Sequence, residues 1–134
     1  MKRGTWECRV AVVDDDEGVR RALGRLIRSF GYEAEVYPTA EDFLASLSDH
    51  VPDCLVLDLH MPGVDGFETQ SRLKRADLRL PVVVITGHDT PESEARALAG
   101  GARTYLRKPI DQGTLLQALR SAVGSPANEN GIES

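Results

Sequence analysis

The sequence predicts an α/β protein: one domain, with a doubly wound parallel sheet covered by helices on both faces. Three observations predict it. Short apolar, β-rich runs alternate with segments of helical period five times along the chain. The connections are short, so each strand should return to its neighbour through the helix between them. And Val82-Val83-Val84-Ile85-Thr86 is apolar at consecutive positions, as a strand buried on both faces must be.

The elements follow in order. The first strand is Arg9 to Val13. Asp16 is a good N-cap for the first helix, which places Val19, Leu23, Leu26, Ile27 and Phe30 on one face and stops at Gly31. The second strand is Glu33 to Tyr37. Pro38 and Thr39 start the second helix, with Phe43, Leu44 and Leu47 inward. The third strand is Cys54 to Leu57, ended by the Pro62-Gly63 loop. The third helix is Phe67 to Lys74. After the fourth strand, Gly87 breaks the chain. A fourth helix from Pro91 to Leu98 closes at Gly100-Gly101. Its apolar face is mostly alanine, so it should pack lightly and shift easily. The fifth strand, Thr104 to Arg107, ends at Lys108-Pro109. The fifth helix, Asp111 to Val123, buries Leu115, Leu116, Leu119 and Val123. This organisation gives an N-terminal extension over 1–7, a folded domain over 8–123 and a disordered polar tail over 124–134.

Bulk properties exclude several function classes. With 134 residues, 41% hydrophobic and 28% charged, the chain has the composition of one globular domain. The net charge of -5 and the absence of a Lys/Arg block argue against direct nucleic-acid binding. Arg20, Arg21, Arg25 and Arg28 are spaced like a solvated helical face. No apolar run reaches membrane-spanning length and the N-terminus lacks a signal-peptide core, so a cytoplasmic location is expected. Cys8 and Cys54 are too few for a disulfide framework and lack metal-ligand spacing.

The chemistry concentrates at the strand ends. All strands of a parallel sheet end on one edge, and ligands bind there. The first strand brings Asp14 and Asp15, the third Asp58, the fourth Thr86 and the fifth Lys108. Asp16, as a cap, is not counted in the site. Clustered carboxylates repel one another unless a cation intervenes. Mg2+ suits them, because it takes oxygen ligands from one or two carboxylates and from phosphate. Lys108 adds positive charge and Thr86 a hydrogen-bond donor, a set able to neutralise a phosphoryl group. Asp58 is the candidate nucleophile, through an aspartyl phosphate.

These residues resemble the receiver domain of two-component response regulators, over about Cys8 to Val123. The resemblance rests on Val13-Asp14-Asp15, on Asp58-Leu59-His60-Met61-Pro62-Gly63-Val64-Asp65-Gly66, on Ile85-Thr86-Gly87 and on Gly101 to Pro109, in the family's order and spacing. The Val-Ile-Thr-Gly-His stretch is most similar to the nitrogen-fixation regulator subfamily. The resemblance implies a flavodoxin-like (βα)5 fold with strand order 2-1-3-4-5. It implies that Asp58 is the phosphoacceptor, supplied by a sensor histidine kinase or a histidine phosphotransfer protein. Asp15, Asp58 and the backbone carbonyl of His60 would bind Mg2+, with Asp14 acting mainly through a water. Thr86 and Lys108 would hold the phosphoryl oxygens, and Lys108-Pro109 would be a cis peptide. Tyr105 stands at the aromatic switch position and would turn inward as Thr86 moves. The surface of the fourth helix, fifth strand and fifth helix would then change, forming a homodimer or docking a downstream target. His60 and His88, two residues after Asp58 and Thr86, would tune the acyl-phosphate lifetime. His50 looks like a surface loop residue.

On this reading the chain is a switch, with only self-phosphorylation and self-dephosphorylation chemistry. An alternative is a Mg2+-dependent phosphatase with an aspartyl nucleophile. It is disfavoured by His60 where such enzymes carry a second acid, and by the lack of a cap domain. A degenerate receiver used only for docking is disfavoured by the intact Asp14, Asp15, Asp58, Thr86 and Lys108 set. Output is open between a stand-alone receiver and the N-terminal module of a larger DNA-binding transcription factor. The initiating methionine and loose tail favour the first.

Overall fold

The computed structural model describes residues 8–124, so the expected 1–7 extension and the 125–134 part of the tail lie outside the described residues. The elements are β1 (Arg9–Val13), α1 (Glu17–Ser29), β2 (Glu33–Tyr37), α2 (Ala40–Ser46), β3 (Cys54–Asp58), α3 (Gly66–Arg75), β4 (Val82–Thr86), α4 (Pro91–Ala99), β5 (Thr104–Arg107) and α5 (Gln112–Val123). The strands form one parallel sheet in the order β2-β1-β3-β4-β5, as the resemblance implied.

Period-two alternation divides the core between the two faces. Val10, Val12, Val56, Val83 and Ile85 pack with Leu23 and Ile27 of α1 and Leu115 and Leu119 of α5. Ala11, Val13, Leu55, Leu57 and Val84 pack with Phe43 of α2, Leu73 of α3 and Ala97 of α4. β3 and β4 are buried at every residue, which explains their unbroken apolar runs.

Local signals set the boundaries. Asp16, Thr39, Asp65, Thr90 and Asp111 cap the five helices, each side chain accepting a backbone N–H of the first turn. Gly31 takes φ 103°, which lets the chain turn sharply from α1 into β2. α2 is short: Leu47 is its C-cap and is only partly buried. α4 buries only Ser93 and Ala97 and leaves Leu98 46% exposed, in keeping with the expected light packing.

Two expectations about polar residues need correction. Arg20 is not part of a solvated face; it is half-buried and donates to the Asp14 carbonyl at 3.0 Å. Arg21, Arg25 and Arg28 are exposed, as expected, and Arg28 also donates to the Ala34 carbonyl at 3.0 Å. His50 is also half-buried, with Nε2 2.8 Å from a Glu35 carboxylate oxygen. None of these contacts has a sequence signature, because each joins an element to a neighbouring turn or strand through a side-chain tip.

Candidate functional site

The sheet register assembles the site. Val13 pairs with Leu57, Asp58 with Ile85 and Thr86 with Arg107. Asp14, Asp58, Thr86 and Lys108 therefore arrive at neighbouring positions on one edge. Asp14 and Thr86 are fully buried and Asp58 is 3% exposed, whereas Asp15 is exposed.

Close packing of α3 against the end of β3 fixes Asp58. The Gly66 N–H donates to the Leu59 carbonyl at 3.0 Å. A Cβ on Gly66 would stand 2.7 Å from the Asp58 carbonyl oxygen and 2.7 Å from Leu59 Cα, so only glycine fits.

The carboxylate oxygens of Asp14, Asp15 and Asp58 lie within 4.8 Å of one another. Lys108 Nζ lies 2.8 Å from Asp14 Oδ2 and 3.6 Å from Asp58 Oδ1. Asp14 Oδ1 also accepts the Asp16 N–H at 2.9 Å. Burial, and then the Asp14 charge, push the Asp58 carboxyl up to about 6. Lys108 and a hydrogen bond from the His60 backbone pull the other way and lose. For Lys108, burial favours the neutral amine, but Asp14 and Asp58 outweigh it and hold the ammonium above its ordinary range.

Three carboxylates against one ammonium leave the pocket with excess negative charge. A small hard dication fits that imbalance and that donor set. Asp14, Asp15 and Asp58 are the side chains that could hold it.

Around this centre the loops are tied together. Thr86 Oγ1 accepts the His88 N–H at 3.0 Å. His60 Nε2 lies 3.1 Å from the His88 carbonyl oxygen, so that nitrogen donates. The two imidazoles meet edge to face at 5.2 Å, joining the loops after β3 and β4. The Lys108–Pro109 peptide is cis. Tyr105 is buried, 7% exposed, and its hydroxyl donates to Asp89 Oδ1 at 2.7 Å. Burial and Asp89 raise that phenol to about 12.

The structure thus brings together Asp14, Asp15, Asp58, Thr86 and Lys108, and sets His60 and His88 beside them. Tyr105 stands on the next strand over from Thr86. Two contacts near the pocket have no signal in the sequence beyond charge: Arg20 on the Asp14 carbonyl and Tyr105 on Asp89. Gly66 belongs to the Asp58–Gly66 motif, but its close approach to Asp58 and Leu59 shows only in the structure.

Comparison with known proteins bears on this geometry. Residues 10–120 match the response regulator receiver domain family. Nodulation protein W of Bradyrhizobium diazoefficiens is 40% identical over 113 residues, covering 84% of this chain and 50% of that protein. Response regulator MprA of Mycobacterium bovis is 35% identical over 126 residues, covering 94% of this chain and 55% of that protein. The chain spans about half the length of these curated relatives. A response regulator receiver protein from Burkholderia phymatum superposes with TM-score 0.79 at 43% identity, covering 90% of this chain and 98% of that one. The crystal structure of FixJ-N does so with TM-score 0.81 at 32% identity, covering 87% and 93%. No helix among the described residues is long and apolar enough to cross a membrane. A strand order of 2-1-3-4-5, an acidic pocket at its carboxyl edge and a family match across most of its length make this chain a member of the response regulator receiver family.

Proposed function

We propose that this receiver is switched by phosphorylation of Asp58, in a Mg2+-dependent reaction with a phosphohistidine donor. One observation carries the reading. Asp58 is buried at a strand end, with two other carboxylates within 4.8 Å and the Lys108 ammonium 3.6 Å away. Such a group is costly to keep unless a charged ligand completes it.

An Asp58 oxygen forms a bond to phosphorus while the P–N bond of the donor breaks; the imidazole leaves with the electron pair. Asp58 must be ionised to attack, and with its carboxyl near 6 it is mostly so at neutral pH. Asp15, Asp58 and the His60 carbonyl would hold Mg2+, with Asp14 acting mainly through a water, and the ion would supply charge that neutralises the transferring group. Lys108 neutralises a further phosphoryl oxygen. Thr86 Oγ1 already accepts from His88, so its own proton is free to donate to the phosphoryl group. Turnover of an external substrate is not part of this reading.

A donor can approach beside Lys108. A largely apolar groove of about 240 Å³, formed by Val19, Ala22, Leu23 and Leu26 of α1 with Pro109 and Ile110, adjoins that residue. It suits a helix of a sensor histidine kinase or histidine phosphotransfer protein, presenting its phosphohistidine to Asp58. Output passes through the face of α4, β5 and α5 to a downstream protein or to a second copy.

His60 and His88 set the lifetime of the acyl phosphate; what supports this is that each follows a pocket residue by two positions and that their rings pair edge to face at 5.2 Å. Replacing each with alanine and timing phosphate loss checks this; unchanged lifetimes in both variants reject it.

The main experiment incubates the protein with acetyl phosphate and Mg2+, then measures mass and association state. Wild type gains the mass of one phosphoryl group; Asp58→Asn does not. A gain on Asp58→Asn, or none on wild type, rejects the assignment.

A further inference from the structure

The loop after β4 is fixed at two points. At one end the His88 N–H holds the Thr86 hydroxyl at 3.0 Å. At the other, Asp89 is held by two residues of β5: Tyr105 Oη donates to Oδ1 at 2.7 Å, and Arg107 Nε to Oδ2 at 2.6 Å. Arg107 also reaches Glu94 Oε1 of α4 at 2.9 Å and lies 5.3 Å above the Tyr105 ring. One carboxylate therefore joins the loop carrying His88 to a buried aromatic ring, and through Arg107 to α4.

The arrangement has a direct consequence for Thr86. A hydroxyl has one proton and two acceptor sites. While the His88 N–H occupies an acceptor site, the Thr86 proton must find another partner. Its fully buried position lies at the edge where Asp58 ends β3. A loop free to move would release the His88 bond, and binding a phosphoryl group would then have to order both.

We propose that Asp89 is a positioning residue: by tying the loop after β4 to Tyr105 and Arg107, it sets Thr86 for the phosphoryl group. This rests on the proposal that Asp58 is the phosphoacceptor. By holding the loop that carries His88, the Asp89 contacts reduce the ordering that phosphoryl binding must supply, so losing them weakens that binding.

The test uses Mg2+ with beryllofluoride, a stable phosphoryl mimic, titrated into the whole protein by calorimetry. Wild type and Asp58→Asn come first. Binding by wild type and not by Asp58→Asn secures the phosphoacceptor reading independently. Asp89→Ala removes the acceptor for both Tyr105 and Arg107, and Tyr105→Phe removes only the hydroxyl. Each should raise the dissociation constant about fivefold or more. The double variant should lose no more than Asp89→Ala alone, because that change already breaks the Tyr105 bond. A merely structural role would lower the melting temperature and leave the affinity alone. Asp89 is exposed, so Asp89→Ala should fold; Arg107→Gln is the second probe of the same carboxylate. Unchanged affinity in folded Asp89→Ala and Arg107→Gln overturns the proposal, as do fully additive losses in the double variant.

Discussion

Lys108 stands closer to Asp14 than to Asp58: 2.8 Å against 3.6 Å. The ammonium thus spends its nearest contact on a fully buried neighbour, leaving Asp58 only partly compensated. Asp58 is in consequence the carboxyl that burial pushes up to about 6. The same division leaves its oxygen less tightly engaged and available to a phosphoryl group.

Removing the ammonium should expose that balance. Lys108→Met leaves Asp14 and Asp58 facing each other without a cation. We expect a loss of about 1–3 kcal/mol at neutral pH, reduced from the fully buried case because Lys108 is partly exposed. Urea unfolding checks this. Acetyl phosphate should label the variant at least about tenfold more slowly, since one charge-stabilising group is gone.

The raised Asp58 carboxyl gives a pH dependence of definite sign. The native state holds this proton more tightly than the unfolded chain, where the carboxyl titrates at about 3.8. Below that value the group contributes no difference. Above about 6 it disfavours the folded state by up to about 3 kcal/mol. Metal-free protein should therefore gain stability from this group as pH falls from 7 towards 4. Asp58→Asn should flatten that slope in urea midpoints taken across the window. Equal slopes in both proteins would contradict the prediction. Added Mg2+ should raise the stability of wild type most at the high-pH end, where Asp58 is ionised.

Gly66 is a steric requirement. Gly66→Ala drives a methyl into the Asp58 carbonyl and Leu59 Cα, both 2.7 Å away. The backbone cannot yield as a flexible side chain would. We expect a loss of about 1–3 kcal/mol. Acetyl phosphate labelling should also slow, because α3 must move off the end of β3. Thermal unfolding and labelling rates check the two effects.

Asp15 separates metal binding from folding. It is exposed, unlike Asp14 and Asp58. Asp15→Asn should weaken Mg2+ by about tenfold or more in a calorimetric titration. Its melting temperature without metal should stay near that of wild type. A variant that binds Mg2+ normally would remove Asp15 from the metal set.

The sequence specified the elements and the identity of the pocket. Apolar runs at β4 and β3, caps at Asp16, Thr39 and Asp111, and breaks at Gly31 and Gly87 are local, so short-range physics suffices to read them. Parallel pairing then fixes the edge on which Asp14, Asp58, Thr86 and Lys108 end. What tertiary structure decided is how those charges and their neighbours divide among partners. Lys108 nearest Asp14, Arg20 on the Asp14 carbonyl, His50 on Glu35 and Asp89 between Tyr105 and Arg107 are contacts made by side-chain tips. No periodicity announces them. A tip's partner depends on rotamers and on ångström-scale packing of segments distant along the chain, and these exist only once the sheet has closed its register.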